Sequence, residues 1–184
     1  RILRAGHSAP SVGFMQPWNF VVIQNRETLQ RIYQVVDRER VRAADNYRGL
    51  QKEHYLRLKV EGLLQAPVTL CVTLDPRRGG PHVLGRNTIP ETDLMSVACA
   101  IENIWLAARA EGVAVGWVSM YQKDDIREIL GIPESIDPVA LLSLGYTPHF
   151  PDEPGLQRAG WARRLPLADI VFRERWGESG EFGG

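Results

Sequence analysis

Apolar positions recur along the chain in two rhythms, one near every second residue and one near every third or fourth, and these lay out its elements. Trp18 to Gln24, with Phe20-Val21-Val22-Ile23 at its centre, predicts a first strand. Arg26 to Val36 then sets Leu29, Ile32, Tyr33 and Val36 on one helical face. From Asp37 to Gly49 charged and small residues take over, so this stretch is expected to be exposed, helical or loop-like, and to act as a mobile cover. A second helix is predicted from Glu53 to Leu64 and is stopped by Ala66-Pro67. Val68 to Leu74 is nearly continuous apolar and β-branched sequence, the pattern of a central strand covered on both faces.

Asp75 to Pro81 is a loop by composition, and its Arg77 and Arg78 belong either to a solvated turn or to an anion site. The longest helix is predicted from Glu91 to Glu111. Its Leu94, Val97, Ala98, Ile101, Ile104, Trp105 and Ala108 spread over more than one face, as in a buried helix or one packed across a subunit contact. Val113 to Tyr121 gives a strand, and Lys123 to Leu130 a short helix closed by Gly131 with Pro133 beyond. Pro138 to Tyr146 gives another central strand. Thr147 onward is Pro-rich, then basic, and ends in a Gly-rich tail expected to be disordered. Strands alternating with helices, without internal repeats, point to an α+β (α/β-like) class with helices on both sides of a small sheet. One domain is expected over 1–176, with a tail at 177–184.

Composition narrows the function classes. With 22 basic and 22 acidic residues, the chain has no net field to draw nucleic acid or an anionic membrane. No apolar run reaches the roughly 20 residues of a bilayer span. Cys71 and Cys99 lie in apolar surroundings without Cys-x-x-Cys spacing and are expected to be reduced core residues of a cytoplasmic protein. His7, His54, His82 and His149 are scattered, with no metal-ligand spacing, though His7 lies close to the loop discussed next. No Gly-x-Ser-x-Gly elbow, Walker loop or Gly-x-Gly-x-x-Gly fingerprint is present, which removes the hydrolase, kinase and Rossmann readings. The opening Arg1-Ile2-Leu3-Arg4 reads as the last turns of a helix, so further residues are expected upstream.

One connection stands out: Pro10-Ser11-Val12-Gly13-Phe14-Met15-Gln16-Pro17-Trp18, leading straight into the first strand. Gly13 lets a flat ligand approach bare backbone, Pro17 stiffens the turn, and Trp18 adds an apolar anchor. With Leu84-Gly85-Arg86, Gly116-Trp117-Val118-Ser119 and Gly160-Trp161…Arg164-Leu165-Pro166, this loop resembles the nitroreductase superfamily of FMN proteins. Within it, the Ser-Val-Gly-Phe-Met-Gln-Pro-Trp form resembles the dimethylbenzimidazole synthases, which fragment flavin for cobalamin biosynthesis.

The resemblance implies a small mixed sheet, an intertwined homodimer, and FMN sites built from both chains. It implies that Pro10, Ser11 and Gly13 line the isoalloxazine and ribityl, with the Gly13 amide near N5. General nitroreductases carry Asn where this chain has Phe14, which exchanges a polar flavin contact for apolar bulk. Gln16 is either a turn-stabilising amide or a flavin ligand, and Trp18 either core or a cofactor contact. Lys59 is either a surface lysine or a cation beside N1 and the C2 carbonyl. Ser119, read alone, is a polar residue leaving a strand; the resemblance makes its hydroxyl catalytic and cofactor-facing. Arg164 matches a residue on the FMN phosphate, and its planar fork suits two phosphate oxygens.

The activity implied is O₂-dependent fragmentation of reduced FMN, which is then substrate as well as cofactor, with a separate NAD(P)H–flavin reductase as electron source. Alternatives are an NAD(P)H-dependent FMN reductase of nitro compounds, quinones or a cobalamin precursor, and a flavin-binding module. No nucleic-acid or membrane partner is expected.

Overall fold

The runs of alternating or continuous apolar residues become four strands in a sheet of order β1-β2-β4-β3: β1 Trp18–Ile23, β2 Val68–Leu74, β3 Val113–Val118 and β4 Asp137–Tyr146. The computed structural model describes residues 1–56 and 62–178. They fall into two compact units, Arg1–Thr147 and Pro148–Gly184. Every pairing in the sheet is antiparallel, with Trp18 opposite Leu74, Thr69 opposite Ser143, and Val118 opposite Leu141.

This corrects the expectation of a mixed sheet. β2 and β3 both run antiparallel to β4, so they share a direction, and helix α5 (Thr92–Ala110) lies between them in sequence. The strand–helix–strand order is therefore present. β4 inserts between β2 and β3, however, and replaces the parallel pairing with two antiparallel ones.

Each face of the sheet carries its own core. On one, Leu70, Val72, Leu142 and Leu144 meet Val97, Ala100, Ile101 and Ile104 of α5. α1 (Ile2–His7) packs on the same helix so closely that a Cβ on Gly6 would stand 2.7 Å from Ile104 Cγ1. On the other face, Ile23, Cys71 and Leu141 meet Leu29, Ile32 and Val36 of α2 (Arg26–Ala43). Leu63 of α4 (Gly62–Gln65) and Ile126 of α6 (Lys123–Leu130) complete that layer. Each fully buried aliphatic side chain contributes about 1.5–3 kcal/mol.

α2 starts at an Asn25 cap, whose Oδ1 accepts the Thr28 N–H at 3.0 Å, and runs past the expected Val36 to Ala43. The charged stretch expected as a cover is thus helical in its first half. Arg40 Nη2 pairs with Asp37 at 2.6 Å, Arg38 with Asp125 of α6, and Gln122 Nε2 donates to Glu39 at 2.9 Å. The charges bind α2 to α6 instead of freeing it. α3 (Gly49–Leu56) follows a single 3-10 turn at Ala44–Asn46. Of the helix expected over Glu53 to Leu64, residues 57–61 lie outside the described residues.

Cys71 is buried, and burial pushes its thiol up to about 12. Cys99 is exposed, against expectation, because it sits on the outer stripe of α5 with Leu94, Met95 and Leu106 rather than on the stripe facing the sheet. Among the described residues no helix is long and apolar enough to cross a membrane.

In the second unit, α7 (Gly155–Arg158) and a 3-10 turn at Leu167–Asp169 are joined by irregular chain. There Phe172 and Trp176 pack with ring centroids 4.9 Å apart. Of the tail expected at 177–184, residues 179–184 lie outside the described residues.

Candidate functional site

The connection from α1 to β1 folds as one 3-10 turn at Val12–Phe14, and its backbone is unusual. Gly13, Phe14 and Gln16 all have positive φ, of 57°, 54° and 47°. For the two residues with side chains this costs about 1–2 kcal/mol each. The surrounding structure holds the conformation with specific hydrogen bonds. Phe14 N–H donates to Ser11 O at 3.0 Å, Met15 N–H to Val12 O at 3.2 Å, and Gln16 N–H to Ser11 Oγ at 3.1 Å. From α5, Ser96 Oγ accepts the Val12 N–H at 3.2 Å.

Gly13 is exposed, and its N–H has no hydrogen-bond partner among the described residues. The reason for glycine here differs from the one the sequence suggested. A Cβ would stand 2.5 Å from Val83 Cγ1 and 2.9 Å from Leu84 O. The missing side chain therefore makes room for the protein's own 83–84 segment, and the exposed amide stays unpaired among the described residues. Gln16 is a turn-stabilising amide, its Nε2 donating to Phe14 O at 3.3 Å. Trp18 is core, 3% exposed, and its indole N–H donates to His7 Nδ1 at 3.3 Å.

Two arginines absent from the expected site hold this loop in place. Arg78 Nη1 donates to the carbonyls of Gln16 and Trp18 at 3.3 Å, and Nη2 to Asn19 Oδ1 at 2.5 Å. It acts as a clamp on the start of β1. Arg86 uses its whole fork: Nε to Asp93 Oδ1 at 2.7 Å, Nη1 to Gly80 O at 2.9 Å, and Nη2 to Arg78 O at 2.7 Å and Met15 Sδ at 3.2 Å. Asp93 and Ser96, one turn apart on α5, thus fasten both loops to the same helix. In sequence a first-turn Asp reads as complementing the helix dipole; its burial, at 9% exposure, and hence its need for a partner, shows only in the structure.

The Arg86 and Asp93 side chains are each 13% exposed, so cutting the carboxylate leaves a nearly buried cation short of its counter-ion. Asp93→Asn is expected to cost about 3 kcal/mol, read as a lower denaturant midpoint at unchanged m-value.

Ser119 is exposed and follows β3 directly, and its hydroxyl has no hydrogen-bond partner among the described residues. Its neighbour Met120 is tied to α3, since the Tyr55 hydroxyl donates to Met120 Sδ at 3.4 Å and Tyr55 stacks on Tyr47 at 4.6 Å. Pro10, Ser11 and Gly13 share one loop, whereas Ser119 stands at the same end of the sheet on the opposite edge strand. Three strand spacings, about 14 Å, separate those edges. Lys59 lies outside the described residues. Arg164 belongs to the second unit, where its N–H donates to Gln157 Oε1 at 3.1 Å. Its guanidinium has no hydrogen-bond partner among the described residues.

Within the first unit, a bare amide and a hydroxyl are groups that suit the heteroatoms of a flat ring such as a flavin. The Arg164 guanidinium, taken by itself in the second unit, suits a phosphate. Among the described residues no group of three or more His, Cys, Asp or Glu could hold a metal ion.

The chain belongs to the nitroreductase family, whose pattern it matches over residues 1–146. It is 41% identical over 170 residues to a 5,6-dimethylbenzimidazole synthase of Rhodospirillum rubrum, covering 90% of this chain and 79% of that one. Among solved structures it resembles a BluB-like flavoprotein from Clostridium difficile 630, with a TM-score of 0.69 and 21% identity over 95% of this chain and 87% of the other. It resembles equally an iodotyrosine deiodinase bound to FMN and 3-iodo-L-tyrosine, with a TM-score of 0.68 and 21% identity over 95% of this chain and 84% of that one. At that identity the two structures speak for the fold.

Proposed function

We propose that this chain is a 5,6-dimethylbenzimidazole synthase that takes reduced FMN and O₂ and fragments the isoalloxazine. The observation that carries this reading is the 41% identity, over nine-tenths of the chain, to a relative bearing that name. The geometry of the Pro10–Trp18 loop supports it.

Reduced FMN supplies both the electrons for O₂ and the ring carbon skeleton of the product. Gly13 offers its N–H to a ring heteroatom, from a backbone already fixed by Ser11, Ser96 and Arg86. Such fixed donors act without reorganising when charge develops near them. The Ser11 oxygen accepts from Gln16, which leaves its own proton to donate toward a ligand. Ser119 is the proton-handling hydroxyl, set at a strand end with nothing else to bond among the described residues. Lys59, on sequence grounds alone, is the cation that favours an anionic reduced ring. Arg164, taken by itself, offers the guanidinium for a phosphate.

The site takes residues from two copies of the chain. The opposite-edge placement of Gly13 and Ser119 supports this, because three strand spacings, about 14 Å, keep the two edges apart within one chain. The exposed apolar residues of α5, with Met95 and Leu106 on one face and Leu94 beside it, supply a surface for such pairing. Sedimentation at twice 20.7 kDa is the expected result, and a monomer at working concentration contradicts it. With two free cysteines, the protein suits the reducing cytoplasm, where a separate NAD(P)H–flavin reductase delivers reduced FMN.

The test is to supply chemically reduced FMN in air and examine the small molecules by mass. Dimethylbenzimidazole formed in proportion to protein is the expected outcome. Oxidised FMN with hydrogen peroxide as the sole products contradicts the reading, and NAD(P)H consumption that depends on an added nitro compound or quinone points to a reductase instead.

A further inference from the structure

Phe14 is the least economical residue in the loop. Its φ of 54° lies in the left-handed region that a bulky side chain rarely adopts, and its ring is 80% exposed. Neither feature helps the described fold: the backbone is strained and the ring buries almost nothing. Yet the conformation is locked on both sides, by Phe14 N–H to Ser11 O, by Gln16 Nε2 to Phe14 O, and by Arg86 gripping the neighbouring Met15. Strain that the surroundings enforce marks a position held for a purpose other than packing.

The purpose follows from what lies beside it. Phe14 adjoins the unpartnered Gly13 amide. On the other side of Gly13 runs the backbone of Leu84, whose O and N lie 2.9 and 3.0 Å from where a Gly13 Cβ would be. The Leu84 side chain is itself 84% exposed. Two large, exposed apolar residues, one next in sequence and one against the Cβ side of Gly13, are therefore neighbours of the residue that carries the free N–H.

Resting on the reading that Gly13 meets the isoalloxazine, we propose that Phe14 is a specificity-determining residue. Its ring, with Leu84, forms an apolar rim at the ring edge that admits O₂ and holds back larger electron acceptors. A small apolar gas passes such a rim without losing hydration, whereas a bulky or polar acceptor has to displace the side chain or shed water to enter.

The test compares the parent with Phe14→Ala and Phe14→Asn, each loaded with FMN, reduced anaerobically, and mixed either with nitrobenzene or with aerated buffer. With nitrobenzene, two electrons and two protons pass from reduced FMN to the nitro group. One N–O bond breaks, its oxygen leaves as water, and nitrosobenzene and oxidised FMN remain. Reoxidation by nitrobenzene is expected to rise at least about tenfold in both variants, while the rate at which O₂ consumes reduced FMN stays within about twofold.

A second readout needs no flavin. Asn tolerates the left-handed region, so unliganded Phe14→Asn is expected to melt about 2–4 °C above the parent. Unchanged nitrobenzene rates overturn the proposal. So does a Phe14→Asn protein that melts well below the parent, since the ring would then be packed in the fold. A variant that turns monomeric while the parent is dimeric also overturns it, by making Phe14 a subunit contact. A parent that takes up no FMN removes the underlying reading instead, and is seen before any variant is made.

Discussion

Ser119→Gly is expected to abolish dimethylbenzimidazole formation, by at least about 100-fold, while the protein still binds FMN. The residue is exposed and its hydroxyl bonds nothing among the described residues, so its removal opens no cavity and orphans no partner. A loss confined to product formation, with the FMN titration curve and the melting point unmoved, separates a proton-handling group from a binding or structural one. Loss of FMN binding in this variant would contradict the role assigned to Ser119. Full retention of product would remove it from the chemistry altogether.

Gly13→Ala is expected to be costly in a different way. The new methyl meets a backbone oxygen, Leu84 O, at 2.9 Å and the Val83 side chain at 2.5 Å, on a residue whose φ is 57°. Left-handed strain and overpacking together predict a loss of about 2–4 kcal/mol. Val83→Ala in the same chain relieves the contact with the side chain but not that with the carbonyl, so only part of the stability returns. FMN affinity is expected to fall in both proteins, because either accommodation shifts the amide that the ring meets. Denaturant midpoints and an FMN titration on the two variants check this, and a Gly13→Ala protein as stable as the parent contradicts the packing described.

Where local chemistry decides a structure, the sequence was legible. β2 was read with its observed bounds, Val68 to Leu74, because Pro67 precedes it and Asp75-Pro76 follows. α6 was read from Lys123 to Leu130 because Gly131 takes the left-handed cap at φ 65°. The apolar pattern of α2 ends at Val36, and the charges after it look the same on a solvated loop as on a helix whose Arg38 pairs across to Asp125 of α6. The pairing order was not legible at all. Nothing local to Asp137–Tyr146 says that it will insert between β2 and β3.

The candidate site divides along the same line. Pro10, Ser11 and Gly13 announce themselves as a stiff, glycine-bearing loop. The reason that loop has one shape lies far away in sequence, in Ser96, in the Arg86–Asp93 pair and in Arg78, and such contacts leave no mark on a local pattern. Leu84-Gly85-Arg86 was visible as a motif without a role. Through Arg86 it fastens one loop to the other and both to α5.

The claim on which the rest depends is that FMN rests against the loop at Gly13. It is tested most directly by following the backbone amide signals of isotope-labelled protein as FMN is added. The account predicts that the Gly13 amide is among the signals that shift most, together with Phe14 and Leu84, and saturates with the flavin. A saturable FMN complex in which Gly13 and its neighbours do not move would contradict it.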